Sequence, residues 1–277
     1  MKKAITIVIF CLSFISCQDT IEVDVPQEQP RLMIDALIRV HEADSTINFT
    51  IKTGLTSGFF DSIKYTSVAD ILLINQTLSD TLQLVENPDT TGFYQPEIPT
   101  ELNFLKTGNL SLVVTYQEQT YYATTNYVPT VPIDTLTQGD GTLFGEDDTE
   151  VIVTFTDEPN REDYYIFDFD YGNYEITEDT YYPGNQVAFS YFYDENLSTG
   201  AQPQISILGA DKAFYTYMSQ LIELSRSEYN PFATPTSTVK GNIFDLRNVD
   251  NPTPDPSLFP LGYFAVVQTY HSSITIE

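Results

Sequence analysis

Asn109-Leu110-Ser111-Leu112-Val113-Val114-Thr115-Tyr116-Gln117 decides the class of fold. Leu110, Leu112, Val114 and Tyr116 recur at every second position, which places them on one face of an extended strand and is incompatible with the 3.6-residue period of a helix. The same alternation spreads outward on both sides. Residues 31–40, 46–53, 69–76, 81–86 and 120–127 read as further strands bounded by turn residues, and Asn87-Pro88-Asp89 leads through Gly92 into another short one. Strands at this spacing with no helical pattern between them predict a β-sandwich domain over 31–128.

Pro129 and Pro132 cannot donate ladder hydrogen bonds, so 129–137 is expected to be a linker. Beyond it, runs at 150–156, 164–174, 186–193, 204–208, 238–244 and 262–276 return to strand character and require a second core, giving a mostly β domain over 138–277. One segment breaks the rule. In 211–229 the residues Phe214, Tyr217, Met218, Leu221, Ile222 and Leu224 follow helical spacing and Asn230-Pro231 ends the run, so the second domain carries one amphipathic helix. Its apolar stripe reads as a packing face.

Charge and rare residues exclude several functions. The 277-residue chain has 12 basic and 39 acidic side chains, a formal charge of −27 that repels nucleic-acid phosphates. With two His, two Cys and no Trp, there is little material for a histidine-based catalytic centre, a thiolate metal site or a tryptophan sugar platform. No metal-binding His or Cys motif, nucleophile elbow or phosphate loop occurs. The expectation is a non-catalytic protein.

The beginning of the chain carries an address. Lys2 and Lys3 precede a short apolar run, 4–15, that is too brief for a membrane span and fits the core of a secretory signal occupying 1–16. Leu12-Ser13-Phe14-Ile15-Ser16-Cys17 resembles a relaxed bacterial lipobox, which makes Cys17 the lipidated, palmitate-bearing residue at the head of a tether over 17–30. Gln18-Asp19-Thr20-Ile21-Glu22 resembles the acidic export signal of surface-exposed Bacteroidetes-type lipoproteins. An outward-facing outer-membrane location follows, with the lipid as the sole membrane attachment because the acidic body avoids anionic headgroups.

Residues 140–179 hold 14 carboxylates and one base, Arg161. Two readings stand side by side: a solvated acidic surface, or oxygen ligands for calcium from the loop ending in Glu146, Asp147 and Asp148, although the spaced pattern of a calcium loop is absent. Asp168 and Asp170 alternate with Phe167, Phe169 and Tyr171, which puts both carboxylates on one strand face, an outward one in preference to an acid and base pair of the kind glycosidases use. Eight tyrosines lie within 164–193. Glu146, Asp147 and Asp148 together with Tyr164, Tyr171, Tyr174, Tyr181 and Tyr182 are the candidate recognition face, joining negative potential to aromatic area. Tyrosines filling sandwich faces are the competing explanation.

Cys17, Ile21-Glu22-Val23-Asp24-Val25-Pro26 and Arg31-Leu32-Met33-Ile34-Asp35-Ala36 resemble the opening of the domain-of-unknown-function 4249 lipoproteins. The later half agrees at Phe214-Tyr215-Thr216-Tyr217, Asn230-Pro231-Phe232-Ala233-Thr234-Pro235, Gly241-Asn242-Ile243 and Leu261-Gly262-Tyr263-Phe264. The resemblance implies a cell-envelope lipoprotein encoded beside a TonB-dependent outer-membrane transporter, and it brings no catalytic or binding residues. The first-half pattern is itself similar to a carboxypeptidase-regulatory-like or Ig-like sandwich. The expected role is an accessory or substrate-capturing subunit of that transporter, its ligand unspecified. The alternatives are a metal-dependent hydrolase using the carboxylates of 140–179 and a purely structural envelope protein.

Overall fold

The computed structural model describes residues 30–57, 62–141, 148–193, 197–227, 238–249 and 259–277. The signal, Cys17, Glu146 and Asp147 lie outside the described residues. The fold is mainly β, 50% strand and 11% helix, with one long helix. The first half supplies β1 (Leu32–Val40), β2 (Thr46–Ile47), β3 (Ile51–Leu55), β4 (Lys64–Tyr65), β5 (Asp70–Asn75), β6 (Asp80–Glu86), β7 (Phe93–Pro96), β8 (Thr100–Glu101), β9 (Asn109–Tyr116) and β10 (Gln119–Val128). The second supplies β11 (Ile133–Gln138), β12 (Glu150–Thr156), β13 (Tyr164–Asp168), β14 (Tyr174–Glu178), β15 (Gln186–Phe192), β16 (Gln204–Ala210), β17 (Phe244–Asp245) and β18 (Leu261–Ser273).

Alternation builds the first core as expected. Leu32, Ile34, Ala36 and Ile38 of β1, Ile71 and Leu73 of β5, and Leu110, Leu112 and Val114 of β9 all point inward and are buried. The architecture differs from the expected sandwich. In the order β18-β1-β3-β7-β6-β5-β9-β10 the strands close on themselves, because β18 also pairs with β10 through Tyr127–Val266 and Val128–Val267, making an eight-stranded barrel. Period two reports which side of a strand is buried, and a sandwich and a barrel share that pattern. The short helix Leu102–Lys106 closes one end with Phe104 and Leu105, and buried Asn75 donates to the carbonyls of Phe104 and Thr107, both at 2.7 Å. That amide satisfies helix-end acceptors which burial would otherwise leave unpaired.

Closure requires the far end of the chain. Residues 261–268 of β18 run parallel to β1, and residues 269–273 of the same strand run antiparallel to β16. The barrel therefore extends beyond 31–128, and its last stave continues into the second half. Residues 129–132 do not behave as an exposed linker. Thr130 and Val131 are buried, Thr130 donates its N–H to Gln268 Oε1 at 2.8 Å, and a side chain on Gly209 would sit 2.2 Å from the Pro129 carbonyl. The rest of the expected linker forms β11.

The second half is layered. A sheet in the order β14-β13-β16-β18 is covered on one face by helix Lys212–Ser227 and on the other by the sheet β11-β12-β15. Every residue of β13 is buried because its two faces serve different cores. Tyr165, Phe167 and nearby Phe169 meet Phe155 and Phe189 between the sheets, while Tyr164 and Ile166 face the helix. Asp211 caps the helix, its carboxylate accepting the Phe214 N–H at 2.7 Å. Phe214 and Tyr217 then pack on Tyr263, at ring separations of 4.9 and 4.7 Å.

The outward strand face expected for Asp168 and Asp170 is absent. Asp168 is buried and ion-paired with Arg39 of β1 at 2.7 Å, whereas Asp170 lies past the strand end in a turn with φ 66°. The pair joins the barrel to the second sheet at the point where β18 passes between them. Gly262, at the start of β18, has φ +100°, and a Cβ there would lie 1.9 Å from the Ile34 carbonyl oxygen. Gly262→Ala should therefore lower unfolding free energy by about 2 kcal/mol or more, from left-handed strain together with lost β1 pairing. Guanidinium denaturation checks this; an unchanged midpoint would show that the strand start tolerates displacement.

Candidate functional site

Two of the sheets end side by side. β14 pairs with β13 alone and β15 with β12 alone, so each presents an outer edge with no strand beside it among the described residues. The two are consecutive in the chain, joined through the 3₁₀ turn Asp179–Tyr181 and the left-handed Gly184. Between these edges, under the overhanging end of the long helix, lies an open groove of about 1210 Å³.

Strand register assigns the groove walls. Glu175 and Thr177 pair with Phe167 and Tyr165, so they share the inner face of the sandwich, opposite Val187, Phe189 and Tyr191 of β15. Tyr174 and Ile176 take the other face, towards Met218, Leu221 and Ile222 of the helix. The helical stripe is thereby divided: Phe214 and Tyr217 pack, while Leu221 remains 37% exposed at the groove. Among the described residues, Asp148 and Glu175 are the charged members of the lining. The groove thus offers an aromatic and aliphatic surface bordered by two strand edges.

The expected recognition face is only partly assembled. Asp148 and Tyr174 do line the groove. Tyr164 is buried on the helix side, its hydroxyl donating to Glu162 at 2.8 Å and its ring against Tyr215, whereas half-buried Tyr182 packs against Phe155 on the opposite side of the sheet. Tyr171 and Tyr181 are exposed, at the β13–β14 turn and in the 3₁₀ turn. Missing from the expected set were Glu175, Phe189, Met218 and Leu221. Their signal was edge position, which depends on pairing partners distant in sequence.

The described part of the acidic segment is not wholly solvated. Glu150, Asp157, Asp163, Asp168 and Asp179 are buried. The Tyr165 hydroxyl bridges Asp157 and Asp163; Asp157 also accepts the Gly184 N–H at 2.7 Å, and Asp179 accepts the Asp163 N–H at 3.0 Å. Arg161 pairs with Asp163. Each carboxylate is engaged by donors of the chain itself, which offsets part of its desolvation. Among the described residues, no three His, Cys, Asp or Glu side chains converge where they could hold a metal ion. The fold does bring His41 and His271 together, ring centroids 4.9 Å apart, despite their separation in sequence.

Burial beside these carboxylates keeps the phenols protonated. Tyr182 is pushed up to about 12 by burial, Tyr217 to about 12 by burial and the nearby Asp35 charge, and Tyr164 to about 12 chiefly by its bond to Glu162. Tyr174 is raised as well, again through burial first. An unfolded tyrosine ionises near pH 10. Below that pH both states keep the proton. Between about 10 and 12 the unfolded chain loses protons that the folded chain retains, so unfolding becomes easier as pH rises. Ultraviolet titration should show a late-ionising class of tyrosines, reduced by one in Tyr182→Phe, with a thermal midpoint that falls over the same interval. A single transition of all phenols near 10 would contradict this burial.

No helix of the described residues is long and apolar enough to cross a membrane. No curated protein matches the chain. A family model described as a domain of unknown function, DUF4249, matches residues 18–271, a span that takes in the barrel, both sheets of the second half and the groove between their edges. The chain belongs to the DUF4249 family.

Proposed function

We propose that this chain is a cell-surface lipoprotein, anchored to the outer membrane through Cys17, that serves a TonB-dependent transporter as a non-catalytic accessory or substrate-capturing subunit. The observation that carries the binding role is the groove: about 1210 Å³ of open aromatic and aliphatic surface flanked by two strand edges, held on a second half braced by the barrel. An aromatic surface of this kind supplies contact area at low conformational cost. The anchoring part rests on the Lys2-Lys3 start, the apolar run and Ser16-Cys17. A body with formal charge −27 gains nothing from an anionic headgroup surface, so the lipid alone holds it there. The transporter enters through the family resemblance.

The metal-dependent alternative receives no support from the carboxylates of 140–179 that the structure describes, because the buried ones are bonded to the chain's own tyrosine, arginine and backbone donors. The binding reading has the better physical basis. Two experiments test it. Cys17→Ala should release the protein from the membrane fraction, and protease added to intact cells should digest the wild-type chain; retention of the variant or complete protection would refute the anchoring and the outward placement. Affinity purification of the tagged chain from detergent-solubilised outer membranes should bring down an outer-membrane barrel protein. Recovery of the chain alone would contradict the accessory role.

A further inference from the structure

The chain has two histidines, and the fold sets them against each other, ring centroids 4.9 Å apart and planes at 89°. His41 directly follows β1, and His271 stands in the part of β18 that pairs with β16. The parallel register of β1 and β18 runs to Val40–Gln268, which brings His41 level with Thr269, and His41 Nδ1 lies 3.0 Å from the Thr269 carbonyl oxygen. A carbonyl only accepts, so Nδ1 carries the proton and Nε2 presents its lone pair. A bond from the far ring nitrogen to a backbone carbonyl or carboxylate is the support that metal-ligating imidazoles usually have. The ring spacing fits as well. A ring nitrogen lies about 1.1 Å from its centroid, so with metal–nitrogen bonds of about 2.0–2.1 Å two imidazoles on one ion have centroids about 4.5 Å apart at a right angle and about 5.2 Å apart at the tetrahedral angle. His271 is exposed, so rotation of its side chain brings a nitrogen to the shared point without opening a core. We propose that His41 and His271 form a two-nitrogen site for a divalent first-row transition cation, zinc or copper, on the seam between β1 and β18.

The surroundings decide which ions qualify. Arg39 stands two residues before His41, and its charge is taken up by Asp168 at 2.7 Å, which lowers its repulsion of a cation. Glu42, on the other side of His41, is engaged by Lys106 and by the Tyr127 hydroxyl. The ligands are therefore the two imidazoles. Nitrogen donors favour zinc and copper, whereas calcium and magnesium seek oxygen. No third His, Cys, Asp or Glu side chain of the described residues completes the set, so an ion held here keeps open positions for water or for a ligand from another molecule. Neither histidine lines the groove, which makes this a separate site. An ion bound to both would tie the end of β1 to the part of β18 that pairs with β16, and so would stabilise the joint between barrel and second half.

The probe is zinc ion alone, titrated into the purified full chain carrying no polyhistidine tag. Calorimetry should show one saturable ion per chain above the weak background of thiols and carboxylates, a background that the double variant His41→Ala/His271→Ala retains. His271→Ala alters an exposed side chain and should keep the wild-type circular dichroism while weakening zinc at least about tenfold, no less than the loss of a supporting group costs. Copper should bind more tightly than zinc, and excess calcium should displace neither. A second readout needs no variant. With isotope-labelled histidine, both imidazole signals should move together over the first equivalent of zinc while His41 Nδ1 keeps its proton, and the thermal midpoint should rise. Equal zinc affinity in the wild type and the double variant, movement of one imidazole alone, or displacement by calcium would each overturn the proposal. So would one ion per two chains, because the histidines would then bridge copies, and an absence of saturable binding would leave the pair a ring contact.

Discussion

The whole molecule depends on the pairing of one strand with both halves of the chain. β18 has 13 residues, and Tyr263 to Thr269 are all buried. Its first part closes the barrel against β1 and β10, and its remainder forms the ladder to β16. Even-numbered residues such as Phe264 and Val266 fill the barrel, and odd-numbered Tyr263, Ala265 and Val267 lie under the long helix. A strand buried on both faces cannot withdraw from one core without uncovering the other. The Arg39–Asp168 ion pair crosses the same junction, its attraction offset in part by the desolvation of the buried carboxylate.

That constraint explains why much of the sequence was readable and why the rest was not. Residues 109–117 and 31–40 repeat with period two and became β9 and β1; the stripe from Phe214 and the cap at Asp211 became the helix Lys212–Ser227. These are local signals. Barrel closure is not local, because the decisive pairs, Tyr127–Val266 and Val128–Val267, join residues from opposite ends of the fold. Pro129 and Pro132 suggested a linker because proline breaks a ladder, yet Thr130 and Val131 are buried, Thr130 donates to Gln268, and Gly209 lies against the Pro129 carbonyl. The dense carboxylates of 140–179 suggested solvent, and Tyr165 and Arg161 instead give two of them, Asp157 and Asp163, partners within the chain.

The candidate site follows the same division. Tyr174 and Asp148 were visible as parts of an aromatic and acidic segment, but the groove they line exists because β14 and β15 are the last strands of two separate sheets. On the other side of the sandwich, β11 lies close to β18 and the sheets are tied to the barrel. The opening therefore falls opposite the braced side. Edges with no strand beside them among the described residues suit recognition, since the backbone there is ordered before a partner arrives and less entropy is lost on binding.

The central claim is that β18 makes the barrel and the second half a single cooperative unit. Native-state hydrogen exchange in increasing guanidinium tests it most directly, by comparing slow amides of β1, which belongs to the barrel, with those of β16, which belongs to the second sheet. The account predicts that both sets merge into one global opening, with the same free energy and the same denaturant dependence. Two separate isotherms, in which β16 exchanges through an opening that leaves β1 protected, would show two independently stable domains and contradict it.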